Sequence, residues 1–529
     1  MPRIGRGETE RSRFWHGGGN RPARSATMLA ALLMVSRVVG FVRSQVMAHL
    51  FGATGETDAF IVAISVSTLV TAVTGPVTVT FLPVYAAAVG KGDGRAASKV
   101  ASETIALVGS FIVCASACLA AFAPQLTRIV APGFTEATYA KAIALARILL
   151  AAMALPLLAS FAKSILNTEG RFAVPAVADI VENVVVVLAL VVLAPALGVI
   201  SLGIASSAGF LVLFLMQYAC LKSSGLWPPP EWGFGPDTQR VLALALPLMG
   251  GSAFAGLHRF VDKVLASRLA EGSMAVLEYA ERIRWLPLGV LVAAATTVMA
   301  PSLSGMWGKG DDRGFARTLE ANLRSISFIC IPVAAGMMAL AKPLVRLLFE
   351  RGAFTAGATS ATAAALIAYA PGLAAMAALR IVTTAFISSQ KTGLSVLLGI
   401  CSSTLNIGLD YAFVGRLGHI GLALASTVSG FLTFAVAISL LRRQYRYRLN
   451  LRSLGASTAR MVMAATVMAA AAVRLSDRFG LSAGTGSTAN DFILLSCITL
   501  ASAATYLVLT FVLRCDEVFD LIEYLGPRR

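Results

Sequence analysis

The stretch Met34-Val-Ser-Arg-Val-Val-Gly-Phe-Val-Arg43 places two arginines inside the first long apolar segment of the chain. Counted from an inner end near Met28 at a rise of about 1.5 Å per residue, Arg37 lies about 13 Å deep and Arg43 about 22 Å deep. A guanidinium stays charged, so each side chain must face water, an internal partner or an anionic ligand. The stretch therefore predicts a membrane transporter whose interior attracts negative charge.

The composition indicates a polytopic membrane protein rather than a soluble domain. Of the 529 residues, 57% are hydrophobic and 13% are charged, and the mean hydropathy is +0.77. Apolar runs of about 20 residues predict an all-α protein with fourteen spans. The predicted bounds are 27–50, 57–88, 102–127, 139–166, 173–196, 200–222, 238–270, 276–306, 316–346, 358–389, 392–415, 419–441, 454–474 and 490–514.

The net charge of +17 is unevenly distributed between the predicted loops. Lysine and arginine are frequent before the first span and after the second and twelfth, whereas segments 51–57 and 195–201 contain none. This asymmetry follows the positive-inside rule and predicts that both termini are cytoplasmic, with no role in binding nucleic acid. Residues 1–26 lack the apolar core of a signal peptide and are predicted to form a basic cytoplasmic tail.

The chain resembles itself at an offset near 220 residues. Five matches fall near this offset: Phe41-Val-Arg43 with Phe260-Val-Asp262, Pro132-Gly-Phe-Thr135 with Gly352-Ala-Phe-Thr355, Gly170 with Gly393, Asn183 with Asn406, and Ala205-Ser-Ser207 with Ala425-Ser-Thr427. The repeat predicts two parallel six-helix lobes, 27–222 and 238–441, around a central cavity. Helices 13 and 14 (454–514) and a cytoplasmic C-terminus (515–529) follow.

The predicted substrate-binding residues are Arg37, Arg43, Asp58 and Arg282. By residue counting, Arg43 and Arg282 both lie about 10 to 12 Å below the outer surface. A planar guanidinium group can donate two parallel hydrogen bonds to the oxygens of a phosphate or diphosphate. In the alternative interpretation the arginines pair with Asp58, Glu278 or Glu281 and only fix the helices.

A second set, Asp262, Asn406, Asp410 and Thr427, contains only oxygen ligands at matched depth, about 9 to 12 Å from the outer side. Such ligands suit a sodium ion, or a proton on one of the carboxylates. Alternatively, Asp262 pairs with Arg259 or Lys263, and Asn406 forms an interhelical hydrogen bond. No motif for a further cofactor or a catalytic nucleophile is present in the sequence, so we expect a protein that is not an enzyme.

Several stretches of the first ten spans resemble the MurJ (MviN) family of lipid II flippases, in the multidrug, oligosaccharidyl-lipid and polysaccharide exporter superfamily. They are Ser36-Arg-Val-Val-Gly-Phe-Val-Arg43, Phe51-Gly-Ala-Thr-Gly55, Thr57-Asp-Ala-Phe60, Ala131-Pro-Gly-Phe134, Ile165-Leu-Asn167, Gly170-Arg-Phe-Ala-Val-Pro175, Tyr279-Ala-Glu-Arg282, Pro287-Leu-Gly-Val290 and Leu348-Phe-Glu-Arg-Gly-Ala-Phe-Thr355.

The resemblance implies a bacterial inner-membrane protein that moves an undecaprenyl-diphosphate-linked saccharide, with lipid II as the leading cargo, from the cytoplasmic to the periplasmic leaflet. It implies that arginines matching Arg37, Arg43 and Arg282 hold the diphosphate, that helices 13 and 14 form a groove for the lipid tail, and that sodium or the membrane potential drives transport. We expect the protein to act as a monomer with membrane lipid as its other partner.

The chain departs from the family pattern in its second span. Ser67-Thr-Leu-Val-Thr-Ala-Val-Thr-Gly-Pro76 occupies the stretch where the family usually carries an arginine pair. Ser44 and the loop Ser388-Ser-Gln-Lys-Thr392 each lack a usual aspartate. A different polyprenyl-linked glycan, such as an exopolysaccharide unit, is therefore the alternative cargo. A cation-coupled multidrug exporter is a further alternative, against which the buried arginines argue.

Overall fold

The computed structural model of the protein describes residues 21–444, 450–482, 484 and 487–518. Within those residues it contains eighteen α-helices and no β-strand. The helices are, in chain order, α1 (Arg21–Phe51), α2 (Gly55–Gly90), α3 (Gly94–Ala121), α4 (Ala123–Val130), α5 (Glu136–Ala152), α6 (Ala154–Thr168), α7 (Ala173–Leu197), α8 (Ile200–Ser223), α9 (Pro236–Ala266), α10 (Ser273–Gly308), α11 (Asp312–Ala339), α12 (Ala341–Phe349), α13 (Ala356–Tyr369), α14 (Gly372–Ser388), α15 (Thr392–Leu417), α16 (His419–Gln444), α17 (Leu451–Arg478) and α18 (Thr488–Val512).

When the helices of the structure are judged by length and hydropathy, fewer than the fourteen predicted membrane spans are found. Among the described residues, eleven helices are long and apolar enough to cross a membrane, and the bent pair α13 and α14 would make twelve. Helices α9 and α10, which match the predicted spans 238–270 and 276–306, each contain side chains outside the described part. The all-helical membrane fold is confirmed, and the count of fourteen stays a prediction.

Four predicted spans are each divided into two helices, and spans 102–127 and 316–346 are divided at Phe122 and Leu340. Span 139–166 breaks at Met153, and span 358–389 breaks at Ala370 and Pro371 with a bend of 43°. A proline disfavours helical conformation in the residue before it and supplies no amide hydrogen for the helix. The hydrophobic pattern continues across the breaks at Met153 and Pro371, so hydropathy alone could not locate them.

The helix bounds repeat along the chain. Helices α2 and α10 both have 36 residues, α3 and α11 both have 28, and their starts differ by 218. Lys91-Gly-Asp-Gly-Arg95 and Lys309-Gly-Asp-Asp-Arg313 join these pairs. In each joint a glycine with positive φ ends one helix and an aspartate caps the next, Asp93 for α3 and Asp311 for α11. The duplication is therefore present in the folded chain.

The structure corrects two of the five sequence matches. Gly198 and Gly418 end α7 and α15 with φ of 53° and 56°, which sets the local shift at 220 residues. At that shift Gly170, which has a φ of 74°, is equivalent to Gln390, with a φ of 60°, and not to Gly393. Asn183 is likewise equivalent to Ser403 rather than Asn406. Single glycines and asparagines are too common in apolar helices to fix the register.

The chain forms two compact units, which differ from the predicted lobes because parts of the first half pack with the second. Unit 1 comprises Met1–Val46, Val73–Ala120 and Ile148–Pro247. Its core includes Phe81 and Phe161, whose rings meet edge to face at 5.1 Å. The lobe division itself stays a prediction.

The connector between α8 and α9 is fixed to α3 inside unit 1. The buried Glu103 carboxylate accepts hydrogen bonds from the Gly235 amide and the Thr238 hydroxyl, both at 2.7 Å. Ser102 accepts the Glu231 amide at 2.6 Å and donates to the Pro229 carbonyl. Charge-assisted hydrogen bonds to a buried carboxylate hold a loop firmly, so this connector is an ordered part of the fold.

Unit 2 comprises Met47–Ala72, Ala121–Arg147 and Leu248–Arg529. Its main core joins α10, α11, α14 and α16 through fully buried side chains such as Leu303, Ile381 and Ala437. Helices α17 and α18 pack against α11, where the Tyr506 hydroxyl donates to the Phe328 carbonyl at 3.0 Å. Their predicted use as a groove for a lipid tail stays a prediction.

Candidate functional site

Arg43 lies in a polar site inside unit 1. Its Nη1 atom is 3.6 Å from Glu182 Oε1 on α7, and its Nη2 atom donates to Ser206 Oγ on α8 at 3.2 Å. The exposed fractions of the two charged side chains are 24% and 15%. An ion pair of this length between partly exposed side chains is weak, so an anion could compete with Glu182 for the guanidinium.

Arg37 is more open. Its side chain is exposed on α1, and among the described residues it has no hydrogen bond or ion pair. A further cation within a span of unit 1, Lys163, pairs with Asp179 Oδ2 at 3.0 Å.

Asp58 is placed as a helix cap in unit 2. It is 3% exposed, and its two carboxylate oxygens accept the amides of Gly272 and Ala275 at 2.7 and 2.8 Å. A carboxylate at this position satisfies the free amides at the start of α10 and complements the helix dipole. Both oxygens are thus in use by backbone, which makes its contribution to a substrate site indirect.

Asp58 belongs to a set of interlocked loops at one end of unit 2, here called the loop cluster: 47–58, 131–141, 266–275 and 350–354. Gly52 and Gly272 have φ of 64° and 86°, and a Cβ on either would lie 2.3 or 2.2 Å from the carbonyl oxygen of Ala353 or Ala53. Only glycine permits both that conformation and that approach of two backbones. Segments from both halves of the sequence therefore pack backbone to backbone here.

Arg282 is part of a charged row in unit 2. Its Nε atom lies 3.5 Å from Glu278 Oε1, and Glu278 Oε2 lies 3.5 Å from Lys263 Nζ. The Arg282 side chain is 41% exposed. Two cations share one carboxylate, so the row keeps a net positive charge. Pairing with Glu278 was one of the alternatives drawn from the sequence, and it is present.

Arg284 is a cation that the sequence interpretation missed. Its side chain is 4% exposed, pairs with Glu281 at 3.1 Å, and stacks over the Tyr369 ring at 4.4 Å. The signal was available, because Arg282 and Arg284 are two apart and must lie on different faces of α10. Arg282 takes the open face and Arg284 the packed one.

The predicted cation set is partly assembled in unit 2. The carboxyl groups of Asp262 and Asp410 lie next to each other. With its amide oriented to satisfy both neighbours, Asn406 donates to Asp410 Oδ2 and accepts from the Ser426 amide, each at 3.2 Å. Asp410 is fully buried, and Asn406 is 3% exposed. Two carboxyl groups in contact need a proton or another cation between them.

Thr427 makes a different set of contacts. Its hydroxyl donates to the Ala368 carbonyl at 2.7 Å, at the break between α13 and α14. Gly372 leaves room for it, since a Cβ there would lie 2.8 Å from Thr427 Oγ1. The hydroxyl oxygen retains lone pairs but its hydrogen is used, so Thr427 could serve only as an oxygen ligand.

Within the described residues, the carboxyl groups of this set leave oxygen atoms without a partner. Asp262 Oδ1 and Asp410 Oδ1 are buried without a hydrogen-bond partner in the part of the chain that the structure describes. Over the same residues, no group of three or more His, Cys, Asp or Glu side chains could hold a metal ion. Two carboxylates with neutral oxygens suit sodium or a proton better than a divalent ion.

The fold and its sites define a multi-pass membrane transporter with a duplicated helical half and charged side chains held inside its spans. A family model described as "Lipid II flippase MurJ" matches residues 47–491. The chain therefore belongs to the MurJ family of lipid II flippases.

Curated relatives agree with this assignment, and a solved structure shares the fold. The "Probable lipid II flippase MurJ" of Vibrio cholerae is 29% identical over 465 residues, covering 85% of this chain and 88% of that one. The "Lipid II flippase MurJ" of Burkholderia cenocepacia is 28% identical over 439 residues, covering 80% and 84%. The structure titled "Lipid II flippase MurJ, inward closed conformation" has a TM-score of 0.77 at 23% identity and covers 93% of this chain and 99% of that one.

The fold is shared more widely. An inward-facing multidrug resistance MATE family transporter of the MOP superfamily has a TM-score of 0.67 at 17% identity, covering 78% of this chain and 94% of that one. This likeness concerns the fold alone.

Proposed function

We propose that this protein moves an undecaprenyl-diphosphate-linked saccharide, with lipid II as its cargo, from the cytoplasmic to the periplasmic leaflet of the bacterial inner membrane. Family membership supports the cargo. The observation that carries the chemistry is the half-open Arg43 site, a permanent cation inside a span whose carboxylate partner is 3.6 Å away. Both termini are then cytoplasmic, and the protein works as a monomer without catalysing a reaction.

Arg37, Arg43 and Arg282 bind the diphosphate in this proposal. A diphosphate oxygen offers charge-assisted hydrogen bonds of about 2.8 Å, which are stronger than the long contacts to Glu182 and Glu278. Cargo can thus displace these contacts without leaving a guanidinium unpaired. Asp58 supports the site by fixing the start of α10, the helix that carries Arg282.

Asp262, Asn406, Asp410 and Thr427 couple a cation to transport in the same proposal. Sodium or a proton would balance the negative charge that two adjacent carboxyl groups create. Release of that ion changes the charge inside unit 2 and so favours one conformation over another. The membrane potential would act on the same charge.

An exopolysaccharide precursor is the second candidate cargo. The stretch Ser67 to Pro76 contains no cation, so the substrate site offers fewer contacts than the family pattern implies. A cargo with fewer anionic groups would need fewer cationic side chains to bind it.

Complementation tests the proposal. A bacterial strain depleted of its own lipid II flippase should grow when it expresses this chain, and growth should fail with Arg43→Ala although the variant protein accumulates in the membrane. Arg416→Gln, an exposed arginine in the last turn of α15, is the matched control and should complement. Failure of the unchanged chain to complement would contradict lipid II as the cargo.

A further inference from the structure

Arg380 is a charged residue in the middle of a membrane span that the sites above do not use. It lies on α14, the second half of the bent span, eight residues before the end of the helix at Ser388. That spacing puts it about 12 Å from the end, similar to the depth of Arg37. Its side chain is exposed, and it has no ion pair among the described residues.

Helix α14 has a single open stripe. Ten of its 17 residues are buried, and the less buried ones recur at helical spacing. They are Arg380, Thr383, Thr384 and Ile387, while the remaining three, Ala374, Met376 and Leu379, pack partly buried against the core of unit 2. A guanidinium is too costly to hold in acyl chains at this depth. The stripe must therefore face water in the assembled transporter.

Within the described part of the chain, the guanidinium is the donor on this stripe that has no hydrogen-bond partner. The hydroxyls of Thr383 and Thr384 both donate to the Arg380 carbonyl at 2.9 Å, so their hydrogens are already used. An anion that reaches the stripe would meet the guanidinium fork, which can donate two parallel hydrogen bonds to one carboxylate or phosphate.

The equivalent stripe on α6 in unit 1 has a carboxylate partner for its cation, whereas the stripe on α14 does not. At a shift of 220 residues, Ser160, Lys163, Ser164 and Asn167 on α6 match Arg380, Thr383, Thr384 and Ile387. The cation of that stripe is neutralised inside its own unit by Asp179. The residue equivalent to Asp179 is Gly399, which has no side chain to neutralise Arg380.

We propose that Arg380 binds an anionic oxygen group of the cargo during its passage through the inner half of the membrane. The inference rests on the proposed function, which supplies an anionic cargo. The shared chemistry is an oxyanion, either the diphosphate or a carboxylate of the peptide attached to the sugar. Arg380 thereby adds a cargo-binding residue on the helix that follows the bend at Pro371.

Binding to the purified full chain tests this inference with two probe lipids, lipid II and undecaprenyl diphosphate, measured by native mass spectrometry. Arg380→Gln should weaken lipid II binding about tenfold or more, since a charge-assisted hydrogen bond is worth at least one factor of ten. Arg380→Lys should restore most of the affinity, and Arg416→Gln should bind as the unchanged chain does. A loss for both probes identifies the diphosphate, and a loss for lipid II alone identifies the peptide.

The outcomes separate the two proposals. If the unchanged chain binds lipid II, Arg43→Ala weakens that binding and Arg380→Gln does not, the inference on Arg380 is wrong and the proposed function stands. If the unchanged chain binds neither probe, both are wrong. A single cysteine at position 380 in a cysteine-free chain gives an independent readout: it should react with a water-soluble thiol reagent, and lack of reaction would place the stripe against lipid and overturn the inference.

Discussion

Glu182 determines how tightly Arg43 is held before cargo arrives. The carboxylate competes with a diphosphate for the same guanidinium, at a distance of 3.6 Å and with both groups partly exposed. Ser206 on α8 would still hold the arginine in place if that charge were removed. The affinity for cargo is therefore limited by this acid.

Glu182→Gln should bind undecaprenyl diphosphate more tightly than the unchanged chain, by about threefold to tenfold, because a partly exposed ion pair contributes about 1 kcal/mol. Native mass spectrometry or a fluorescence titration would measure the change. Asp179→Asn, which removes the partner of Lys163 instead, is the matched control and should have a smaller effect. Weaker binding by Glu182→Gln would show that the carboxylate positions Arg43 rather than competing for it.

Asp410→Asn should remove the response of transport to an ion gradient. The amide can still donate a hydrogen bond to the neighbouring Asp262 but holds neither the proton nor the charge that attracts sodium. Lipid II flipping in proteoliposomes would be compared with and without sodium and proton gradients. We expect a gradient to accelerate the unchanged chain and to leave the variant unaffected. A variant that still responds would exclude Asp410 from coupling.

At the scale of elements, the turns that end α6 in the first half and α14 in the second half share one hydrogen-bond pattern. The Arg171 amide donates to the Leu166 carbonyl and the Lys391 amide to the Phe386 carbonyl, each across a left-handed residue. Gly170 occupies that position in the first half and Gln390 in the second. A residue with a Cβ is strained in this conformation, so the second turn stores strain that the first does not.

Gln390→Gly should stabilise the protein by about 1 kcal/mol, the lower end of the energy of a side chain in left-handed conformation. The thermal unfolding midpoint in detergent would rise by a few degrees at most. Gly170→Gln is the reciprocal change and should lower the midpoint by a similar amount. If both variants shift the midpoint in the same direction, the equivalence of the two turns is wrong.

The sequence predicted most of the helices because apolar runs of about 20 residues and positive loops have few other interpretations. It could not locate the breaks at Met153 and Pro371, where hydropathy is continuous. Of the candidate sites, the pairing of Asp262 with Asp410 required contacts between α9 and α15 that no spacing encodes. Asp58 was assigned a ligand role because its charge is visible in the sequence, whereas the backbone amides that it caps are not.

At the scale of the whole molecule, the loop cluster joins segments from both halves of the sequence within unit 2. Its contacts are backbone to backbone at Gly52 and Gly272, with ion pairing between Glu56 and Lys141 and a hydrogen bond of 3.4 Å from Thr135 to Glu271. Closely packed loops of this kind are either in contact or separated, because close packing does not allow intermediate arrangements. Transport by alternating access would require it to part.

A reversible cross-link between cysteines at positions 135 and 271 should therefore stop transport. The native cysteines would be replaced first, and a short bis-thiosulfonate reagent would link the new pair. Flipping in proteoliposomes should fall to background and recover on reduction. Each single-cysteine variant with the same reagent serves as control. Undiminished flipping by the linked protein would mean that these loops stay joined throughout the cycle.

The connector held by Ser102 and Glu103 has a mechanical consequence for any such cycle. A loop fixed at both its middle and its end cannot lengthen, so any movement after it must be accommodated within α9, where unit 1 ends at Pro247. Proline leaves a gap in the hydrogen-bond ladder, and a helix bends most readily at such a gap. The first place after the connector where the chain can bend is then Pro247 within α9. The bending stiffness of α9 would limit the amplitude of the conformational change in one transport cycle.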